Sequence, residues 1–541
     1  MATPSSPATS GSAISGSASS GSATSGLPAS AADRLSAAQR RGVEALLTIA
    51  PIVDELAVRF HGAGEQLALV GGSVRDALLG RLGHDLDFTT SARPDITRKL
   101  LRGWAEATWD TGVAFGTLGA HKGGYQIEIT TWRADQYEPG SRKPAVQFGD
   151  RLEDDLVRRD FAVNAMAVTF PGSRFVDLFG GLGDLAERVL RTPGAPQDSF
   201  SDDPLRMMRA ARFAAQLGFD VHPDVVEAMT SMAQRIDIVS AERVRDEMIK
   251  ILLSPRPRRG LELLVRTGLA DLVLPELPAL AREDDEHRRH KNVFEHTLIV
   301  LEQAMDLEDP TMLESPGLFD AAPELAESIN PQAYKDTKLV PGTDRVLAPD
   351  LVLRLAALLH DIGKPRTRVF HPDGTVSFHN HDVVGARLAR KRLTALKFDS
   401  HTIDSVCTLV ELHLRFHGYG EAGWTDSAVR RYVRDAGPLL SRLHRLTRAD
   451  CTTRNRRKAL ILEHAYDDLE HRIVELAAQE TLDSVRPELD GHQIMALLDI
   501  QPGPQVGKAY QFLLEARLEL GPLGEHKAEQ LLREWWACQP G

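Results

Sequence analysis

The apolar run Leu67 to Val70 ends on Gly71-Gly72-Ser73-Val74-Arg75-Asp76, and nine residues later the chain reads Asp85-Leu86-Asp87. Few folds accommodate that succession. The run has the length of a buried strand, the paired glycines stop it, and Val74 to Leu79 opens a helix; this predicts a strand, a tight turn and a helix N-terminus. Adjacent glycines let backbone N–H groups approach a polyphosphate, a helix N-terminus favours negative charge, and Arg75 adds a fixed cation. Asp85 and Asp87 follow at strand spacing, where side chains at i and i+2 point the same way. Both carboxylates can therefore hold hard divalent cations from one side, with phosphate oxygens completing the shell, which fits two-metal nucleotidyl transfer.

Three later segments bear on the same chemistry. In Gly124 to Arg133, Ile127 and Ile129 face one way and Glu128 the other, so Glu128 is either an exposed strand glutamate or a third carboxylate beside the aspartates. Arg158-Arg159-Asp160-Phe161-Ala162-Val163-Asn164-Ala165 mixes charged and apolar types, as expected of an element with one face in a core and one toward a site. In Asp202-Asp203-Pro204-Leu205-Arg206-Met207-Met208-Arg209-Ala210-Ala211-Arg212-Phe213, the acids before Pro204 mark a helix start. Its arginines recur every third residue along a slowly turning stripe, while Met207, Met208, Ala211 and Phe213 face a core.

In this order the segments resemble the motifs of the polymerase-beta-like nucleotidyltransferase superfamily, in the GGxVRD…DLDF form of its class II branch. That branch contains tRNA nucleotidyltransferases and bacterial poly(A) polymerases. The resemblance implies that Asp85 and Asp87, with Glu128, are catalytic and hold Mg²⁺, and that Gly72, Ser73 and Arg75 meet the triphosphate. It also implies contacts of Arg159, Asp160 and Asn164 with the nucleotide and its ribose, and a hinge at the glycine-rich Asp177 to Leu185. Asp203 and Arg206 would act as one acceptor–donor pair that admits cytosine or adenine, with Arg209 and Arg212 toward the triphosphate or supporting that pair. Asp202 stands where the family usually has Glu.

A second centre lies further on. His290, His296, His360-Asp361, His379, His381, His413 and Asp450 are candidate ligands, and the apolar helix Leu351 to Leu359 delivers His360-Asp361 before Gly363 and Pro365 stop it. Mixed nitrogen and oxygen donors suit Mn, Fe, Ni or Zn better than Mg. The set resembles the HD-domain metal phosphohydrolases, whose H…HD…D pattern falls on His296, His360, Asp361 and Asp450, with His381 and His413 at accessory positions. Hydrolysis of 2′,3′-cyclic or terminal phosphates is then implied.

The expected fold class is α+β: a polymerase-beta-like head with a mixed sheet and helices, then an all-helical neck, an HD-type body and a helical tail. Residues 1–32 form a Ser/Ala/Gly tail expected to be disordered, without the basic start and apolar core of a signal peptide. Residues 33–65 read as lead-in helices interrupted at Pro51, 66–170 as the head, and 171–280 as the neck. Residues 281–470 read as the HD-type domain with a surface insertion at 306–349, and 471–541 as the helical C-terminal region, where Trp535 and Trp536 serve packing. The basic turn Ser254 to Arg259, the helically spaced Arg442, Arg445 and Arg448, and the cluster Arg454, Arg456, Arg457 and Lys458 read either as RNA phosphate contacts or as ordinary solvated faces.

The formal net charge of −12 neither supports nor opposes an RNA partner. Three separated cysteines give no disulfide framework and no thiolate metal site, which suits a cytoplasmic protein. No apolar run approaches a membrane span. The resulting expectation is addition of CCA to the 3′ end of tRNA from CTP and ATP. Poly(A) polymerases and enzymes that add only CC or A share the visible motifs, and a phosphohydrolase with an inactive head is the remaining reading.

Overall fold

The computed structural model describes residues 31–112, 116–133, 149–283, 292–309, 346–372, 376–419, 424–452, 456–479 and 486–539. The N-terminal tail and most of the expected insertion lie outside these residues.

The head begins with α1 (Ala31–Gly62), β1 (Leu67–Val70), α2 (Gly72–Leu79), β2 (Asp85–Thr90) and α3 (Pro94–Leu101). It continues through β3 (Ala107–Gly112), β4 (Thr117–Lys122), β5 (Tyr125–Thr131), α4 (Leu152–Val157), β6 (Met166–Phe170), β7 (Arg174–Asp177) and α5 (Gly181–Glu187). These strands form one sheet in the order β3-β4-β5-β2-β1-β6-β7. All neighbours are antiparallel except β2 and β5, which run parallel and place Asp87 opposite Glu128. One sheet face buries Leu67, Leu69, Leu86 and Phe88 against α1, and the other buries Ala68, Val70 and Trp132 with Leu152 and Leu156 of α4.

One local expectation is corrected here. Pro51 does not interrupt the lead-in: α1 is continuous through it, because Ile49, Val53, Leu56 and Phe60 form one stripe buried against the head. Val43 and Leu47 of the same helix are exposed. The edge strands β3 and β7 have no counterpart in the sequence reading, and Ala162–Asn164 forms a 3₁₀ turn ahead of β6.

The neck contains α6 (Pro196–Asp202), α7 (Leu205–Leu217), α8 (Pro223–Met232), α9 (Ala241–Leu252), α10 (Pro257–Arg266), α11 (Leu269–Val273) and α12 (Glu276–Ala281), and it is not all-helical as expected, because Val189–Leu190 pairs in parallel with Asp220–Val221. Val244, Met248, Ile251 and Leu252 form the buried face of α9.

The body contains α13 (Val293–Asp306), α14 (Leu351–Leu359), α15 (Lys364–Thr367), the hairpin β8 (Arg368–Phe370) and β9 (Val376–Phe378), α16 (His381–Ala395), α17 (Ser400–Leu412), α18 (Asp426–Ala436) and α19 (Leu440–Asp450). The described ends of the expected insertion are integral to it. Asp306 closes α13, Val346 is buried, and the buried Glu308 pairs with Arg354.

Helices α20 (Arg456–Gln479), α21 (Gly491–Leu498), α22 (Pro504–Leu520) and α23 (Glu525–Ala537) follow, and the last three pack around Leu489, Ile494, Leu513 and Leu532. Trp535 stacks on Phe512 with ring centres 4.8 Å apart, in keeping with a packing role.

Candidate active site and metal centre

At the end of β1 the chain turns through Gly71 at φ 69°, a conformation that suits glycine, and a Cβ there would meet the Arg159 guanidinium at 2.8 Å. α2 starts immediately afterwards. Ser73 is buried and bridges to β2, accepting from the Asp87 N–H at 2.8 Å and donating to the Asp85 carbonyl at 3.3 Å. Ser73, expected at the triphosphate, turns its hydroxyl inward, where it fixes the strand that presents the two aspartates.

Asp85 and Asp87 lie on one face of β2, and Glu128 stands beside Asp87 in the parallel register. Burial raises the Asp87 carboxyl, Glu128 and Asp85 push the same way, and Arg159 opposes them; its pKa rises to about 6. The three acids therefore act on one another. Of the alternatives for Glu128, the structure gives an exposed strand glutamate that is also the neighbour of Asp87.

A cleft of about 460 Å³ opens beside Asp87. Of the residues expected at the nucleotide, Gly72, Arg75, Arg159, Asp160, Asn164, Asp203, Arg206, Arg209 and Arg212 line it together with Gly71 of the glycine pair, as do Arg158, Phe213 and Gln216, which sequence reasoning did not place there. Asp160 is the anchor. It is buried, accepts from Asn164 Nδ2 at 2.9 Å and Arg209 Nε at 2.7 Å, and Asn164 Oδ1 in turn accepts from Arg75 at 2.6 Å. Burial alone would raise the Asp160 carboxyl, but Arg209 and Asn164 outweigh it and bring its pKa down to about 2. Arg212 pairs with the buried Glu247 of α9 at 2.8 Å, and burial lowers its pKa to about 10.

Phe213 takes its expected place in the core and adds a second role. It is buried and packs edge-on against Phe161, yet its ring lies beneath the guanidinium carbons of Arg75, Arg209 and Arg212, at 5.2, 5.7 and 4.2 Å from the ring centre. A neutral ring whose face attracts cations holds three like charges around the cleft.

Asp203 and Arg206, expected to act together, both line the cleft. Arg206 donates to the Ser199 hydroxyl at 2.9 Å and to the Arg158 carbonyl, while Asp203 accepts from Arg243 at 2.8 Å. Each side chain is oriented by a separate partner. In the glycine-rich segment expected to act as a hinge, Gly181 is closely packed: Asp177 caps the N–H groups of Gly181 and Leu182, and a Cβ on Gly181 would lie 2.2 Å from the Ala162 carbonyl, whereas Gly180 and Gly183 have open space around them.

In the body, α13 supplies His296, the C-terminal end of α14 supplies His360 and Asp361, α16 opens with His381, α17 is followed by His413, and α19 ends on Asp450. Two triads result, His296–His360–Asp450 and Asp361–His381–His413, each with ligand atoms within 4.8 Å of one another. His360, His381 and His413 turn Nδ1 to the carbonyls of Ala357, Phe378 and Val410 at 2.8, 2.7 and 2.6 Å. Donating there leaves each Nε2 lone pair facing inward, the arrangement that metal-ligating histidines use. The buried Nε2 atoms of His360 and His413 make no hydrogen bond of good geometry among the described residues.

Burial disfavours a charged His360 ring, but Asp361 and Asp450 outweigh it and lift its pKa to about 10; burial and the adjacent His360 push His413 down to about 3. The helices converge because residue 363 is glycine: a Cβ there would lie 2.0 Å from the His381 carbonyl. His379 is exposed and outside both triads, and His290 lies outside the described residues.

The basic segments considered for RNA are largely paired within the chain. Arg258 binds Glu295 and Glu302, and Arg259 binds Asp220. Arg442 binds Asp350, Arg445 donates to the Leu307 carbonyl, and Arg448 binds Asp467 and Glu470. Arg457 is exposed, and Arg454 lies outside the described residues.

A mixed-sheet nucleotidyltransferase head followed by a predominantly helical body with an HD-type ligand cluster defines the structural class. The sequence matches the Poly A polymerase head domain over residues 67–191, the "Probable RNA and SrmB- binding site of polymerase A" over 218–280 and the HD domain over 293–455. It is 34% identical to the A-adding tRNA nucleotidyltransferase of Deinococcus radiodurans over 482 residues, covering 88% of this chain and 96% of that protein. It is 41% identical to the CCA-adding enzyme of Streptococcus gordonii over 228 residues, 42% of this chain and 55% of that protein. The Bacillus stearothermophilus CCA-adding enzyme in complex with CTP shares the fold at a TM-score of 0.57 and 24% identity, over 89% of this chain and 96% of its own. The chain belongs to the tRNA nucleotidyltransferase and poly(A) polymerase family. No helix among the described residues is long and apolar enough to cross a membrane.

Proposed function

We propose that this chain adds CCA to the 3′ end of tRNA, taking CTP and ATP into the arginine-lined cleft beside Asp87. The observation that carries the reading is the convergence of four separated segments, around Arg75, Asp87, Asp160 and Arg209, on that cleft. Three carboxylates at strand spacing offer hard oxygen donors that fit Mg²⁺. When bound there, the metal supplies a lowered pKa at the RNA 3′-hydroxyl and charge neutralisation as pyrophosphate leaves.

The protein's own groups do the positioning. Gly71 and Gly72 keep side chains out of the approach to Asp87, and Arg75, Arg209 and Arg212 offer fixed positive charge to the triphosphate. Asp203 and Arg206, held by Arg243 and Ser199, present an acceptor and a donor to the base edge. Glu128 completes the carboxylate set, and Asp160 with Asn164 orients Arg209 and Arg75.

The body's donor set, four imidazoles and two carboxylates, fits Mn, Fe, Ni or Zn. With such a metal, the reading for this centre is hydrolysis of 2′,3′-cyclic or terminal phosphates on RNA ends. A cytosolic setting agrees with three cysteines that form no disulfide.

A second reading, addition of A alone, is favoured by the relative matched along most of this chain, which is an A-adding enzyme. Transcripts of tRNA ending before, within and after CCA, incubated with Mg²⁺, CTP and ATP and sequenced at their 3′ ends, separate the two. Growth of the first to CCA and no further supports the proposal. Extension only of transcripts ending in CC establishes the second reading, long adenosine tails would indicate a poly(A) polymerase, and no addition refutes all three. Asp85→Ala with Asp87→Ala is expected to lower addition at least about 1,000-fold while sparing metal-dependent hydrolysis.

A further inference from the structure

The hairpin between Asp361 and His381 has features that neither chemistry above uses. β8 and β9 pair with Arg368 opposite Phe378 and Phe370 opposite Val376. Directly opposite residues share a face, so these four lie on one side of the ribbon and Val369 with Ser377 on the other. The inner end of the shared face adjoins the metal-ligand cluster. His381 Nδ1 donates to the Phe378 carbonyl, and Lys364 Nζ lies 2.8 Å from Asp361 Oδ2 and 5.7 Å from the centre of the Phe378 ring.

The outer end is open. Phe370 is 70% exposed, with the Arg368 guanidinium carbon 4.9 Å from its ring centre. Strand geometry sets it roughly 7 Å beyond the level of Phe378. A single exposed aromatic residue is common on protein surfaces. Here it ends a face that leads to the cluster, and the segment before it carries Lys364, paired with Asp361, Arg368, paired with the buried Glu283, and the exposed Arg366. A π-face among cations matches single-stranded RNA, whose bases stack and whose phosphates seek positive charge.

Resting on the phosphohydrolase reading of the cluster, we infer that this ribbon face is its RNA subsite: the 3′-terminal base stacks on Phe370, and the exposed Arg366 takes the adjoining phosphate. The subsite selects RNA ends by a base that the chemistry itself does not touch.

The test uses the full chain and a labelled RNA oligonucleotide ending in adenosine 2′,3′-cyclic phosphate, beside the same oligonucleotide lacking the last base. Anisotropy without added metal reads affinity, and ring opening with Mn²⁺ reads KM and kcat. Wild type should favour the base-bearing end about 10-fold. Phe370→Ala should erase that preference and raise KM with kcat held within about twofold, Phe370→Trp should restore it, and Val369→Ala on the opposite face should leave it intact.

An unchanged preference in Phe370→Ala, or an equal loss in Val369→Ala, overturns the inference. Hydrolysis of both RNAs with equal KM leaves the phosphohydrolase reading standing and removes the subsite. A Phe370-dependent preference in anisotropy without hydrolysis does the reverse, and neither binding preference nor hydrolysis removes both.

Discussion

Phe213 shows how one side chain can organise several charges. Three guanidinium groups around a cleft repel one another, and the ring beneath them offers each an attraction of about 0.5–1 kcal/mol. Phe213→Leu keeps an apolar residue but removes the π-face. It is expected to raise KM for CTP and ATP alike by about 10-fold with a smaller change in kcat, whereas Phe213→Tyr stays near wild type; steady-state kinetics with each nucleotide decide. Asp160 makes a different prediction, in stability. Its folded pKa of about 2 lies below the ordinary 3.8, so its pairing adds about 2 kcal/mol above both values and loses it as the pH falls through about 2. The gap between the urea midpoints of wild type and Asp160→Asn should accordingly stay flat from about pH 8 to 5 and narrow below about pH 4.

Among elements, close approach decides which helices can share a centre. α14 and α16 bring Asp361 and His381 together only because residue 363 lacks a Cβ. Gly363→Ala forces backbone to move, and titration calorimetry with Mn²⁺ should show at least about a 10-fold loss of affinity in the body while nucleotide addition persists. The sequence made much of this legible. The strand, glycine turn, helix and aspartate pair are encoded within about 20 residues, and the His-Asp doublet ends a helix whose apolar period is plain. What escaped depends on partners distant in the chain. Arg442 looked available for RNA because Asp350, its partner, lies 92 residues earlier. The family resemblance treats Asp203 and Arg206 as one pair, while Arg243 and Ser199 hold them separately from α9 and α6. β3 was missed because Ala107 to Gly112 has no apolar alternation and is an edge strand with irregular register.

At the scale of the molecule, α9 connects the two chemical regions. Near its start Arg243 holds Asp203, at its middle Glu247 holds Arg212, and at its end the Leu252 carbonyl accepts from Arg354 at 2.7 Å. Arg354 lies on α14, six residues before His360, and also binds the Ser254 carbonyl at 3.0 Å and both oxygens of the buried Glu308. Burial keeps the Glu308 carboxyl above its ordinary range in spite of this pairing, so desolvation outweighs attraction there. An ion pair of that kind specifies an arrangement more than it stabilises one. Arg354→Met strands the Glu308 charge and frees two neck carbonyls, and should cost about 3–5 kcal/mol, whereas adding Glu308→Met should recover most of the Glu308 part and leave the carbonyls unpaired. Heat-inactivation curves for nucleotide addition and for metal-dependent hydrolysis read the outcome separately. If Arg354 joins neck and body into one cooperative unit, Arg354→Met lowers both curves by the same interval; a shift in hydrolysis alone would show that the neck keeps the nucleotide cleft standing without the body.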